Sequence, residues 1–165
     1  MEHIVINDHG IKKEDAVLET SCSRAILVDN NNVLVERHPN GAFLLPGFFC
    51  EENANGRLLT YLKSNLGIDY SDKLLEEILL LEHYQKVFSF DEELDIMRIV
   101  KTKYFFGKYM GIDYSETKSR DFDTFKLMDI DDVIALTSCD SDNNLVRFCN
   151  RDTNEALIKV FKKVR

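Results

Sequence analysis

The chain has few of the features that divide a protein into separate parts. It contains 2 prolines and 7 glycines among 165 residues, and no stretch rich in proline, glycine and serine forms a linker. There is no internal repeat and no low-complexity tract. With 44% hydrophobic residues, a chain of this length can bury one core. We therefore expect a single domain over residues 1–165.

Long apolar runs are also absent. No run approaches the roughly 20 residues that cross a membrane, and the start, MEHIVINDHGIKKEDA, is too charged for a signal peptide. The cysteines show neither CxxC spacing nor the density of a disulfide scaffold. They are Cys22, Cys50, Cys139 and Cys149. We therefore expect a reduced, cytoplasmic protein with no membrane partner.

Basic residues are fewer than acidic residues. The chain has 21 Lys and Arg against 29 Asp and Glu, which gives a formal net charge of -8 and a pI near 5.0. Proteins that bind nucleic-acid backbones usually carry a basic face, so general nucleic-acid binding is not expected. Binding of small anionic ligands is still compatible with this composition, because a few local cations are enough to hold them. The 4 histidines are scattered without the spacing of metal ligands.

Residues 43–68, FLLPGFFCEENANGRLLTYLKSNLGI, carry the strongest local pattern in the chain. Pro46-Gly47 predicts a turn after a hydrophobic run. Asn53 is a candidate N-cap for a helix, and Gly67 supplies its C-terminal stop. The helix is indicated by leucines at helical spacing. These are Leu58, Leu59, Leu62 and Leu66.

This segment resembles the Nudix box, whose pattern is Gly-x5-Glu-x7-Arg-Glu-U-x-Glu-Glu-x-Gly-U, with U an aliphatic residue. Gly67-Ile68 fits the end of the pattern, Leu62 fits the inner aliphatic position, and Glu52 falls on the first glutamate. The order of strands and turns before and after the box extends the likeness over residues 20–136. The resemblance implies an α+β fold, a Nudix-type α/β/α sandwich with a mixed β-sheet.

This segment departs from the family pattern at the charged positions that carry the family's chemistry. The family has Arg-Glu and then Glu-Glu, whereas this chain has Thr60-Tyr61 and Ser64-Asn65. In the family, the carboxylates gather Mg²⁺ or Mn²⁺, which activates the water that splits a diphosphate bond. Of the box glutamates, the resemblance leaves Glu52 as the catalytic candidate.

Two adjacent carboxylates, Glu51 and Glu52, are the candidate metal ligands. A helix dipole alone also favours acidic residues at this point, so a structural role explains them equally well. Further candidates lie in predicted loops, although solvated loops are the simpler explanation for them. These are Asp91, Glu92, Glu93, Asp95, Asp121 and Asp123.

Five residues form the candidate ligand-binding set. Tyr61 could stack on a base, or it could cover the helix surface. The side-chain oxygens of Ser64 and Asn65 could contact a phosphate or a metal. Arg37 ends a predicted strand and could meet a phosphate, although a solvated strand end explains it more simply. Phe43 belongs to the aromatic-x-Leu-Pro-Gly lead-in of the box.

Outside the box, strands are predicted over residues 3–6, 16–28, 33–37 and 96–106. Residues 73–90 fit either a helix or a strand, and the resemblance favours a strand in their second half. Residues 122–136 resemble a closing strand followed by a helix that Asp129 or Asp131 caps. Asp152-Thr153-Asn154-Glu155 predicts the start of a last helix. Residues 1–19 would then be an N-terminal extension or hairpin, and residues 137–165 a C-terminal helical segment.

Two functions follow from the resemblance. The first is binding of a nucleotide-like or diphosphate-containing small molecule, with impaired or lost hydrolysis and no metal cofactor. The alternative is an active hydrolase of a nucleoside diphosphate derivative that depends on Mg²⁺ or Mn²⁺. A homodimer is a further expectation, since the N-terminal segment could either cover the cleft or form a dimer contact.

Overall fold

The computed structural model describes residues 1–50, 57–71, 73–89, 92–113 and 124–162, without the side chains of residues 48–50 and 88–89. The strands are β1 (Glu2–Ile6), β2 (Ala16–Asp29), β3 (Asn32–Arg37), β4 (Phe43–Leu44), β5 (Gly47–Cys50), β6 (Glu76–Ser89), β7 (Glu92–Lys108) and β8 (Phe125–Asp129). The helices are α1 (Arg57–Leu66), α2 (Ile130–Thr137) and α3 (Asn144–Phe161).

The strands form one mixed sheet. Their order is β1-β6-β7-β2-β3-β4, with β5 paired to β2 and β8 paired to β3. The β1–β6 and β2–β7 pairs are parallel, and the remaining pairs are antiparallel. The N-terminal segment therefore adds an edge strand beside β6, because β1 aligns Ile6 with His83 there.

Helices cover both faces of the sheet, which confirms the predicted α/β/α sandwich. Side chains alternate across a strand, so Leu34 packs toward α1 while Val33 and Val35 pack toward α2 and α3. The α1 core also contains Leu58, Leu62 and Leu66 of the helix itself, all buried. The opposite core contains Val133 of α2 and Leu157 of α3.

The predicted turn and helix of the box are present where the chain is described. Helix α1 buries its leucine stripe and ends where Gly67 adopts a φ of 72°. That left-handed conformation is costly for other residues, which is why glycine ends the helix here. The predicted N-cap, Asn53, lies outside the described residues.

Within the ambiguous residues 73–90, Glu76–Ser89 form a strand. β6 pairs with β7 over nearly its whole length, from Glu76 opposite Phe106 to Ser89 opposite Glu92. Tertiary pairing therefore overrides the helical spacing of Leu74, Leu75, Ile78 and Leu79.

The last helix begins earlier than predicted. α3 starts at Asn144, and the side chain of Asn143 caps it by accepting from Val146 N at 3.0 Å. The stretch Asp152-Thr153-Asn154-Glu155 lies in the middle of the helix. Polar residues there bond to neighbouring elements instead of capping a helix, which the local pattern could not indicate. The other predicted cap is confirmed, since Asp129 caps α2.

No helix in the described part of the chain combines the length and the hydropathy needed to span a membrane.

Candidate functional site

The site begins where two neighbours of β2 diverge. The middle of β2 pairs with β5, with Arg24 opposite Gly47, whereas its end pairs with β3. A Cβ atom at Gly47 would clash with the carbonyl oxygen of Ser23, so only glycine permits this approach. Arg24 is buried and donates from Nη1 to Leu45 O at 2.8 Å, which fixes the turn. The predicted Pro46-Gly47 turn therefore holds β5 in place ahead of α1.

Tyr61 of α1 bonds directly to the sheet beneath it. Its hydroxyl group donates to Oε1 of Glu36 on β3. Oε2 of Glu36 lies 3.3 Å from His38 Nε2, so both carboxylate oxygens have protein partners. Glu36 is 8% exposed. Burial, followed by the charge of Glu36, raises the pKa of Tyr61 well above its ordinary value. The phenol therefore stays neutral and acts as a donor.

The other polar positions of α1 lie around this bond. Asn65 donates from Nδ2 to the backbone oxygen of Tyr61 at 2.9 Å. Ser64 and Asn65 are half-buried, whereas Thr60 is exposed. Their hydroxyl and amide oxygens carry no formal charge, so this face of the helix is neutral.

Arg37 and Phe43 lie on the opposite side of the sheet from Tyr61. Strand alternation turns Glu36 toward α1 and Arg37 toward α3. The Arg37 guanidinium lies 5.9 Å from the centre of the Phe43 ring. Two residues of α3 hold the Phe43 backbone, since Asn150 Oδ1 accepts from its nitrogen at 2.8 Å and Thr153 Oγ1 donates to its oxygen at 2.7 Å. The five predicted ligand-binding residues therefore form two groups.

A divalent cation needs a cluster of oxygen ligands, usually carboxylates. The described residues contain no group of three or more His, Cys, Asp or Glu placed to hold a metal. Glu36 is hydrogen-bonded to Tyr61 through Oε1, and its Oε2 lies within hydrogen-bonding distance of His38. The described part of the α1 face therefore does not fit Mg²⁺ or Mn²⁺. Glu51 and Glu52 lie outside the described residues.

The loop carboxylates are also distributed differently from the prediction. Glu92, Glu93 and Asp95 belong to β7 and are exposed. Asp91, Asp121 and Asp123 lie outside the described residues.

Sequence reasoning missed Glu36, although a signal was present. In the run Val33-Leu34-Val35-Glu36, period-two alternation places Glu36 on the same face as the buried Leu34. A carboxylate on a core-facing position needs a partner, and Tyr61 is the aromatic donor that provides one. It also missed the buried pair of His83 and Asp152 on the α3 side, where the Nδ1 to Oδ1 distance is 2.6 Å.

Comparison with solved structures identifies this architecture. The dihydroneopterin triphosphate pyrophosphohydrolase of E. coli matches with a TM-score of 0.56 at 14% identity, over 88% of this chain and 96% of that one. The E. coli ORF135 protein matches with a TM-score of 0.51 at 13% identity, over 89% and 96%. The protein has the Nudix fold. A NUDIX hydrolase from Nitrosomonas europaea also matches this Nudix fold, with a TM-score of 0.51 at 14% identity over 84% and 90%.

Comparisons of sequence add no closer relation. No protein-family model matches the chain, and no curated protein matches it. At identities of 13% and 14%, the structural likeness establishes the Nudix fold and nothing finer.

Proposed function

We propose that this protein binds a nucleotide-like or diphosphate-containing small molecule without efficient hydrolysis. The observation that carries the proposal is the bond from Tyr61 to Glu36. Tyr61 stands at a position where the Nudix box has a glutamate. A glutamate there would coordinate a metal ion, whereas the Tyr61 hydroxyl group donates a hydrogen bond. Because the Glu36 carboxylate accepts this bond, its Oε1 is already used within the protein.

The lack of negative charge at the box positions also supports binding without efficient hydrolysis. A bound divalent ion supplies the electrostatic stabilisation and the activated water of metal-assisted hydrolysis. Tyr61, Ser64 and Asn65 offer neutral oxygens in place of three carboxylates. The Ser64 hydroxyl group can still donate a hydrogen bond to a phosphate, and the neutral side chains at the box positions add no negative charge that would repel it. Loss of acidic groups therefore weakens catalysis more than it weakens anion binding.

Arg37 and Phe43, on the other side of the sheet, offer a separate surface for a ligand of this kind. The backbone of Phe43 is held by α3, and its ring lies beside the exposed Arg37. The guanidinium lies over the Phe43 ring, and its N–H groups can donate to a phosphate. One structural neighbour is named for dihydroneopterin triphosphate. We propose a ligand of the same general chemistry.

Binding and turnover are tested separately. Calorimetric titration with a panel of nucleoside diphosphate derivatives in the presence of EDTA measures binding without metal. Release of product in Mg²⁺ or Mn²⁺ measures hydrolysis. We expect saturable binding in EDTA, no appreciable turnover, and weaker binding by Arg37→Gln. Lys108→Gln is the matched control, because Lys108 is exposed and forms no ion pair with a described residue.

The alternative function is a hydrolase that uses Mg²⁺ or Mn²⁺ with Glu51 and Glu52 as ligands. Turnover that is lost in Glu52→Gln would establish this alternative and overturn the proposal. Failure of every derivative to bind in EDTA, with or without substitution at Arg37, would also contradict it.

A further inference from the structure

The edge of the sheet formed by β1 has one unpaired side. Within the described residues, β1 pairs with β6 alone and stands at the end of the strand order. Successive residues of a strand direct their N–H and C=O groups to opposite sides, so alternate residues of β1 point these groups away from β6. No described residue hydrogen-bonds to the backbone of Glu2–Ile6 from this outer side. These backbone groups can therefore pair with another strand.

Two other strands at the margins of the sheet are protected against such pairing. At β4, Asn150 Oδ1 accepts from the Phe43 nitrogen at 2.8 Å, and Thr153 Oγ1 donates to the Phe43 oxygen at 2.7 Å. β8 pairs with β3 alone and carries the exposed Lys126. Side-chain covers, lysines and prolines are common means of keeping an edge strand unpaired. β1 contains neither lysine nor proline, and no described side chain covers its outer backbone groups.

The sequence of β1 suits antiparallel pairing with its own copy. A two-fold axis at Ile4 aligns Glu2 with Ile6 of the second copy. The same axis aligns His3 with Val5, and these two residues share one face of the strand. Val5 is 54% exposed. Across the axis the two Val5 side chains are diagonal neighbours, so pairing removes apolar surface from water.

Ion pairs at both ends of β1 match this two-fold arrangement. Lys159 of α3 lies 3.5 Å from Glu2, and Arg151 lies 3.3 Å from Asp8, just beyond the strand. The axis brings the Glu2 end of one copy beside the Asp8 end of the other, so each acid approaches a second cation. This edge therefore presents both signs of charge to a second copy, whereas the formal net charge of -8 repels that copy at long range.

We propose that a second copy of this chain docks on β1, so that the two sheets join through antiparallel β1 strands. Main-chain hydrogen bonds hold the two strands together, and the Val5 side chains and the terminal ion pairs set the register. A strand of 5 residues forms a small contact compared with the roughly 800 Å² per partner of stable complexes, so we expect a dissociation constant in roughly the micromolar range. The proposal does not depend on the function of the α1 face, because β1 and β3 are separated by three strands.

Sedimentation velocity of the full chain over a series of concentrations tests the proposal. We expect a monomer–dimer equilibrium for the wild type. Val5→Lys should raise the dissociation constant about tenfold or more, because it places two ammonium groups near each other across the axis. Within one copy Val5 aligns with Glu82, so the monomer can accommodate the added cation. Val17→Lys is the matched control, since it makes the same change at a position of β2 that is 73% exposed, and it should leave the dissociation constant unchanged.

Amide hydrogen exchange of the wild type gives a readout that needs no substitution. A higher protein concentration should slow exchange in residues 2–6 and leave residues 130–137 of α2 unchanged. A monomer at every concentration up to about 1 mM, assemblies that grow beyond a dimer, equal dissociation constants for the wild type and Val5→Lys, equal losses of dimer in Val5→Lys and Val17→Lys, or exchange in β1 that does not depend on concentration would each overturn the proposal.

Discussion

The hydroxyl group of Tyr61 donates to the carboxylate of Glu36, joining α1 to β3 across 25 positions of the chain. His38 approaches the other carboxylate oxygen at 3.3 Å. A buried carboxylate is costly unless its oxygens have partners, so Tyr61 satisfies a charge that the fold has placed in its interior. The same side chain occupies a position that the Nudix box gives to an acid.

Tyr61→Phe should destabilise the protein by about 1–3 kcal/mol, because it leaves Oε1 of buried Glu36 without its donor. Urea unfolding at neutral pH measures the change in the free energy of unfolding. Tyr84→Phe is the matched control, since Tyr84 is half-buried and its hydroxyl bonds to no described residue. Its substitution should cost less than about 0.5 kcal/mol. Equal losses in the two variants would show that the Tyr61 hydroxyl contributes nothing to stability.

Gly47→Ala should destabilise the fold by about 1–3 kcal/mol or more, because the added methyl group meets the Ser23 backbone on the paired strand. Gly10→Ala serves as the control. Gly10 has a φ of 61°, yet a Cβ atom there has nothing within 4 Å, so its cost is limited to backbone strain of roughly 1 kcal/mol. The order of the two unfolding midpoints is the measurement, and a more stable Gly47→Ala variant would contradict the close approach of β5 to β2.

Burial raises the pKa of the Cys22 and Cys149 thiols from 9.0 to about 11. A raised pKa means that the folded protein holds these protons after the unfolded chain has released them. The stabilisation is therefore complete below pH 9 and is lost as the pH rises toward 11. We expect the free energy of unfolding to fall across this window by an amount on the order of 2 kcal/mol for each thiol.

Urea titrations at a series of pH values measure this slope. Cys149→Ala should reduce it, because the variant lacks one of the two buried thiols. Cys139→Ala is the control, since Cys139 is exposed and should leave the slope unchanged. Indistinguishable slopes for the wild type and Cys149→Ala would refute the assignment.

The strands and α1 could be predicted because their signals are local. Continuous apolar runs over residues 25–28 and 33–35 mark β2 and β3, and the leucine stripe ending at Gly67 marks α1. The start of α3 could not be predicted from Asp152-Thr153-Asn154, because the partners of these residues are distant. Asp152 pairs with His83, Thr153 donates to Phe43, and Asn154 donates to Ile134 at 2.9 Å.

The candidate site shows the same division. The Nudix-box resemblance predicted α1 and its neutral positions. Only the tertiary structure reveals that Glu36 accepts a hydrogen bond from Tyr61 and that Arg37 lies on the opposite side of the sheet from Tyr61. The roles of Glu51 and Glu52 stay predictions, as do the single domain, the cytoplasmic location and the homodimer. Except for the homodimer, their support is the sequence pattern alone.

Restoring acids to α1 tests whether the neutral face is what limits metal binding. Ser64 and Asn65 occupy the positions of the box's Glu-Glu pair and are half-buried, so Ser64→Glu with Asn65→Glu adds two carboxylates that water can still reach. Carboxylates are the preferred ligands of Mg²⁺ and Mn²⁺. We expect Mn²⁺ affinity, measured by the electron paramagnetic resonance of the free ion, to rise about tenfold or more.

The matched control makes the same change in net charge elsewhere on the helix surface. Thr60→Glu with Lys63→Gln changes two exposed positions of α1, and nonspecific attraction of cations should then raise affinity only slightly, since exposed charges are screened. Equal gains in the two double variants would mean that net charge, and not the geometry of the box positions, governs metal binding. A gain confined to Ser64→Glu with Asn65→Glu would show that this helix places residues 64 and 65 where carboxylates can bind a metal.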